Sequence, residues 1–198
     1  MPELRSPLAA HAVPGIFGPA TDGNPPLTLS ETTPGAIAQV AGWRDFEAAA
    51  APALLHLGFD GLGDYRTARV SGSATSFRIA PDKLLLRHTD GASLQAALAT
   101  LDAARAPVGD LSHARWLIRV AGPAAADLMA RLAPIDFSIT GFAAGGFVQT
   151  GIHHVAVLIH RILPETFEIY VPVTWAVSLW DLICEAALPF GYLVEAGA

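Results

Sequence analysis

An α+β chain made of two ferredoxin-like halves is what the pattern of apolar segments predicts. Three observations point there. Strand, helix, several strands, helix and strand follow one another, and the series then repeats. Stripes of helical period alternate with short runs of strand period. Two short echoes recur from one half to the other: Val40-Ala41-Gly42 and Val120-Ala121-Gly122 each stand before a helix, and Ser93-Leu94 and Ser178-Leu179 lie within helices.

Residues 1–26 come first, with Pro2, Pro7, Pro14, Pro19, Pro25 and Pro26 and three glycines. Proline lacks an N–H and glycine weakens regular structure, so this stretch is expected as an arm without strand or helix. The first half is expected over 27–112. Gly35–Ala41 reads as a strand, Trp43–Leu57 as an alanine-rich helix perturbed by Pro52, and 66–70 and 76–80 as strands. Pro81-Asp82 is a turn signal before a strand over 83–88. Residues 93–105 carry Leu94, Ala97, Leu98 and Leu101 on one helical face, and 108–112 is a short strand. The second half, 113–198, repeats the scheme. A strand at 116–121 precedes a helix at 123–132 opened by Pro123, where the missing N–H is harmless. Strands at 147–151, 155–162 and 166–171, a helix at 175–188 and a strand at 192–194 complete it.

Composition narrows the function classes. The chain has 198 residues, of which 52% are hydrophobic and 15% charged, against about 25% charged in an ordinary domain. That excludes disorder. With 12 basic and 18 acidic residues the net charge is −6, a poor match to nucleic acid, whose phosphates need clustered Lys and Arg. The most apolar stretch, Val155–Ile159, is bracketed by His154 and His160; a membrane-spanning helix needs about 20 apolar residues. The first ten residues show no secretory signal. Cys184 is the one cysteine, so no internal disulfide or zinc cluster is expected, and a cytoplasmic location fits. The apolar excess then points to a protein partner, with the abundance of alanine as the plainer alternative.

Chemistry-bearing residues give little. Asp110 and Ser112 share a strand face while His113 points away, which opposes a catalytic triad. Ser112 is expected to bond the turn backbone. His154 and His160 would lie about 20 Å apart along a strand, too far for one metal ion, and His153 would face the other side. Gly58, Gly61 and Gly63 form G-x-x-G-x-G after a helix, not a dinucleotide fingerprint. No acidic residue stands between Asp136 and Glu165, so paired carboxylates are not visible there. No catalytic, cofactor-binding or metal-binding residue is assigned.

Ordered short motifs nevertheless carry a resemblance. Val108-Gly-Asp-Leu-Ser-His-Ala-Arg-Trp-Leu-Ile-Arg-Val-Ala-Gly-Pro123 resembles the D-L-S-H…R…I-R-V-x-G-P segment of the gamma subunit of heterotetrameric sarcosine oxidases. Pro134-Ile135-Asp136, Phe147–Thr150, Val157–Arg161, Phe167–Val171 and Ser178–Trp180 follow in the family's order, with Ile79–Leu85 and Ser6-Pro7-Leu8 upstream.

The resemblance implies the folate-binding-domain fold of aminomethyltransferases and a structural subunit without a redox cofactor. Its alpha and beta partner subunits would carry FAD, FMN, NAD and tetrahydrofolate and oxidise the N-methyl group of sarcosine or a related N-methyl amino acid. It also implies that an aspartate essential in aminomethyltransferases is replaced after Gly151 by His153-His154-Val155. Lys83-Leu84 and Trp116 depart from the family pattern. A subunit held in a large apolar interface would account for the composition. The arm, with Ser6, Pro7 and Leu8, would then wrap a partner, and Trp43, Trp116, Trp175 and Trp180 are candidate interface anchors; the plainer alternative puts at least two of them in the core. A lone chain is expected to self-associate. The rival reading is a stand-alone protein of the same fold that binds a folate or pterin.

Overall fold

The computed structural model describes residues 5–19 and 24–195. The chain divides into two compact units: residues 34–113, and a unit joining the chain through residue 33 to residues 114–198. Each is a sheet with two helices packed on one face.

In the unit of residues 34–113, strand β3 (Ala36–Ala41), helix α1 (Phe46–His56), β4 (Arg69–Ser71), β5 (Ala74–Ala80), β6 (Lys83–His88), α2 (Gly91–Leu98) and β7 (Val108–Asp110) follow in order. The sheet runs β4-β5-β6-β3-β7, antiparallel at every pair. Alternation along the strands sends Ala38, Val40, Leu84 and Leu86 to one face. There they pack with Phe46, Ala49, Ala50, Ala53 and Leu54 of α1 and Leu94 and Ala97 of α2. The many alanines allow close approach of helix and sheet. Asp90 caps α2, its carboxylate accepting from the backbone N–H groups of Ala92 and Ser93 at 3.2 and 3.0 Å. The helix ends at Leu98, short of the expected 105, because Thr100 Oγ1 takes the Ala97 carbonyl and Asp102 takes the Ala104 N–H, as short polar side chains do in competition with helix.

The other unit holds β1 (Gly15–Phe17), β2 (Thr28–Thr32), β8 (Arg115–Ala121), α3 (Ala125–Leu132), β9 (Phe147–Ile152), β10 (Val155–Leu163), β11 (Thr166–Pro172), α4 (Ala176–Ala187) and β12 (Tyr192–Val194). Its sheet runs β1-β12-β2-β8-β11-β10-β9. The helical face buries larger side chains: Leu29, Ile118, Val120, Ile159, Phe167 and Ile169 from strands, Leu128 and Met129 from α3, and Leu179, Trp180 and Ile183 from α4. Among the described residues no helix is long and apolar enough to cross a membrane.

The two sheets share the order expected from the sequence, strand, helix, several strands, helix and strand, with three strands between the helices in each. In residues 34–113 the first and last strands of that plan, β3 and β7, are neighbours. In the other unit their counterparts, β8 and β12, are separated by β2, which pairs parallel with β12 and antiparallel with β8. The segment 28–32, which carries no clear period, thus belongs to the later half, and the first unit starts at residue 34 where the sequence placed it at 27. The arm also departs from expectation. Residues 1–4 and 20–23 lie outside the described residues, but Gly15–Phe17 pairs antiparallel with β12, and Leu8 is fully buried in the core of this unit.

The recurring Val-Ala-Gly has a structural counterpart. Gly42 donates its N–H to the Asp82 carbonyl and Gly122 donates to that of Glu165, both at 3.0 Å. Each acceptor sits in the tight turn of the hairpin beside it, Pro81-Asp82 between β5 and β6 and Pro164-Glu165 between β10 and β11. Each hairpin also carries a bulge at the same place, between Arg78 and Ala80 and between Arg161 and Leu163.

Candidate functional site

The repeated bulge places one arginine in each unit. In the second hairpin, Arg161 is buried, 4% exposed. Its Nε donates to the Pro164 carbonyl at 2.9 Å. Nη1 donates to the carbonyls of Phe137 at 3.0 Å, Ser138 at 3.3 Å and Phe142 at 2.6 Å. The guanidinium carbon lies 4.9 Å from the centre of the Phe167 ring, and Phe137 meets Phe142 and Phe167 edge-on. Burial pulls the Arg161 pKa below its usual value, but a guanidinium stays charged in any ordinary buffer. The segment 137–142 is therefore held by a cation through its main chain.

Arg78 is the counterpart in the first hairpin and is only half-buried. Nη1 reaches the Gly63 carbonyl at 3.2 Å and Nη2 the Pro81 carbonyl at 3.4 Å, a long contact. Its guanidinium stacks 4.6 Å from the centre of the Tyr65 ring, while Nε is buried with no acceptor among the described residues. A guanidinium has five N–H donors, and an unmet buried donor costs about 1–3 kcal/mol. Arg78 lines an open groove of about 530 Å³ with Trp43, Arg44, Phe46, Glu47, Leu62, Pro81 and Asp82. Trp43, in the turn before α1, is 77% exposed. The Asp45 carboxyl beside it is held below its usual range by the hydrogen bond from Arg105, so its charge is committed within the fold. The groove is the candidate site: an exposed indole, two guanidiniums and two carboxylates around an apolar floor.

The sequence singled out Trp43 there, but not Arg78. A signal existed. Arg78-Ile-Ala-Pro-Asp82 and Arg161-Ile-Leu-Pro-Glu165 share R-I-x-P-acid, and a search for repeats at that spacing finds both arginines.

The other candidate interface residues fall into two groups. Trp175 is half exposed in the 3₁₀ turn Val173–Trp175. Trp116 and Trp180 are 4% and 2% exposed, within the core of their own unit. Trp116 Nε1 donates to Glu31 Oε2 at 2.9 Å, Ser6 Oγ donates to the same oxygen, and the Leu8 N–H donates to Ser6 Oγ at 2.9 Å; Pro7 between them is half-buried. Ser6, Leu8 and Trp116 thus fasten the arm to the chain's own sheet. Apolar bulk decides this: Leu8 is fully buried within the core of that sheet and its helices.

The remaining polar candidates form no constellation. Ser112 Oγ donates to Asp110 Oδ1 at 2.7 Å and accepts from the Ile37 N–H at 3.1 Å, a turn-fixing role, and His113 is exposed. His153 and His154 form the turn of the β9–β10 hairpin, between the strands expected at 147–151 and 155–162. His153 adopts φ 52°, and the two rings lie 4.8 Å apart. His160 sits farther along β10, buried, opposite Glu168. Among the described residues no three His, Cys, Asp or Glu side chains gather as metal ligands. Burial pushes the Cys184 thiol up, away from a reactive thiolate.

Comparison with known proteins follows the same lines. A chain of the heterotetrameric sarcosine oxidase from Corynebacterium sp. U-96, solved in complex with pyrrole 2-carboxylate, superposes with a TM-score of 0.80 at 20% identity, covering 98% of each chain. Glycine cleavage system aminomethyltransferase T from Bartonella henselae matches with a TM-score of 0.54 at 18% identity, over 81% of this chain and 46% of that one. No curated protein matches by sequence. The aminomethyltransferase-like fold expected from the resemblance is the fold found. The family model described as the GCVT N-terminal domain matches residues 65–197, well over half of the sequence, and the chain belongs to that family.

Proposed function

We propose that the chain is a structural, gamma-type subunit of a sarcosine-oxidase-like flavoprotein complex that oxidatively demethylates sarcosine or a related N-methyl amino acid. The observation that carries this reading is the full-length fold likeness to a chain of heterotetrameric sarcosine oxidase, 98% of each chain at a TM-score of 0.80. The match to the larger aminomethyltransferase spans less than half of that protein, which favours the subunit over the enzyme as the template.

The role assigned to this chain is to present a rigid surface to alpha- and beta-type subunits. FAD, FMN, NAD and tetrahydrofolate belong to those partners, and the complex belongs in the cytoplasm. After Gly151, where the resemblance puts the aminomethyltransferase carboxylate, this chain has the exposed imidazoles of His153 and His154. Those residues do not fit that role, and no step on folate is derived for this chain.

Purification of the tagged full chain from its native host tests the proposal. Flavin-containing chains are expected to travel with it, and their flavin absorbance is expected to bleach on addition of an N-methyl amino acid. A chain that runs alone and binds folate in calorimetry overturns it in favour of a folate- or pterin-binding protein.

A further inference from the structure

The groove at Trp43 opens beside one copy of the repeated arginine, and the other copy shows how that arginine is satisfied when it is enclosed. Around Arg161 the main-chain carbonyls of Phe137, Ser138 and Phe142 converge on Nη1. Around Arg78, at the same bulge of the equivalent hairpin, Nη1 has a single carbonyl among the described residues, that of Gly63, and the guanidinium has no carboxylate partner among them. The groove opens there instead. We infer that it receives an extended segment of another chain of the complex, which lays main-chain carbonyls against the Arg78 guanidinium and a flat apolar side chain on the Trp43 indole. This deepens the subunit reading and rests on it.

Three features of the groove favour that occupant. Its lining holds residues of the kinds that dominate protein interfaces: the exposed Trp43 and Arg44 and the half-buried Arg78, with Tyr65 stacked on the last; Trp, Tyr and Arg are the residues enriched at hot spots. Its walls are too exposed for a small molecule, since Trp43, Arg44, Glu47 and Pro81 all face solvent, whereas small-ligand sites enclose most of their ligand. Its ionic lining is balanced, Arg44 and Arg78 against Glu47 and Asp82, which suits a segment recognised through main chain and apolar contact rather than through a run of one charge.

The test uses the complex assembled around the full-length chain. A photoreactive p-benzoylphenylalanine at position 43, illuminated in that complex, is expected to join one contiguous segment of another subunit on peptide mapping. Trp43→Ala and Arg44→Glu, both at exposed positions whose side chains make no hydrogen bond among the described residues, are each expected to raise the dissociation constant about 30-fold or more while the circular dichroism spectrum stays unchanged. Arg78→Lys, which keeps the charge but not the planar fork, is expected to weaken assembly less than Arg78→Met. Cross-links confined to this chain or to a second copy of it overturn the inference. So does assembly as tight as wild type in both exposed variants, an outcome that leaves the subunit reading standing. A wild-type chain that never joins flavin-containing partners removes both.

Discussion

Arg161 and Arg78 are the same device in two settings. Each leaves a bulge in a hairpin whose turn carries Pro and an acid, and each donates to the carbonyl of that proline. The surroundings differ. Arg161 is enclosed by a loop that brings the Phe137 and Phe142 rings and three further carbonyls, with Phe167 added from β11, so the charge is buried and satisfied. Arg78 has a shorter connection between α1 and β4 beside it, stacks on an exposed tyrosine, and faces a groove. A repeated element keeps its backbone geometry while its function follows from what is packed around it. One copy organises its own loop; the other is left open to organise something else.

The sharpest way to break the comparison is Arg161→Met. It removes the donor of several buried bonds and leaves the Phe137 and Phe142 carbonyls without it, so a loss of more than about 3 kcal/mol in chemical denaturation is expected. A loss no greater than that of Arg78→Met would show that the two sites are not energetically distinct. Gly122→Ala comes next. Gly122 has φ +112°, and a Cβ there would come within 2.3 Å of the Pro26 carbonyl oxygen, so about 2–3 kcal/mol of destabilisation is expected, read as a drop in the unfolding midpoint. Arg78→Met should cost only about 1 kcal/mol, because its acceptors are two and its surroundings half solvated.

The smallest effect separates the helices that follow the two hairpins. Hydrogen bonds from Ser93 and the N–H groups of Ser93 and Ala92 hold the Asp90 carboxyl below its usual value, whereas α4 begins without a side-chain cap. A carboxylate whose folded pKa is lowered adds stability above its unfolded pKa, near 3.9, and loses it as pH falls through that value and below. Amide protection factors at the start of α2 should therefore fall in acid more than those at the start of α4. Asp90→Asn should flatten that dependence.

Much of this fold was legible in the residues. The periods of 2 and 3.6 located most of the central strands and all four helices, and the Val-Ala-Gly echo marked equivalent points in the two sheets. Three things escaped. β2 and β1 lie in Pro- and Gly-rich sequence without a period, and only pairing with the distant β12 and β8 makes them strands. Trp116 and Trp180 could not be told from Trp43 and Trp175 by type, since whether an indole is buried depends on which neighbour covers it. The groove is a cavity between a turn, a loop and a hairpin, and no local spacing encodes a cavity. The arginine within R-I-x-P-acid was visible, but its meaning required seeing both copies.

The placement of β12 sets the timing of synthesis. This strand leaves the ribosome long after β1 and β2, yet it lies between them. Residues 34–113 are contiguous and can close as soon as they emerge, as domains made early in translation do. The other sheet must wait, with its N-terminal strands parted, until Tyr192–Val194 arrive. A nascent chain halted before residue 192 should therefore show a protease-resistant segment over 34–113 with vulnerable flanks, and emergence of residues 192–194 should protect both flanking segments at once.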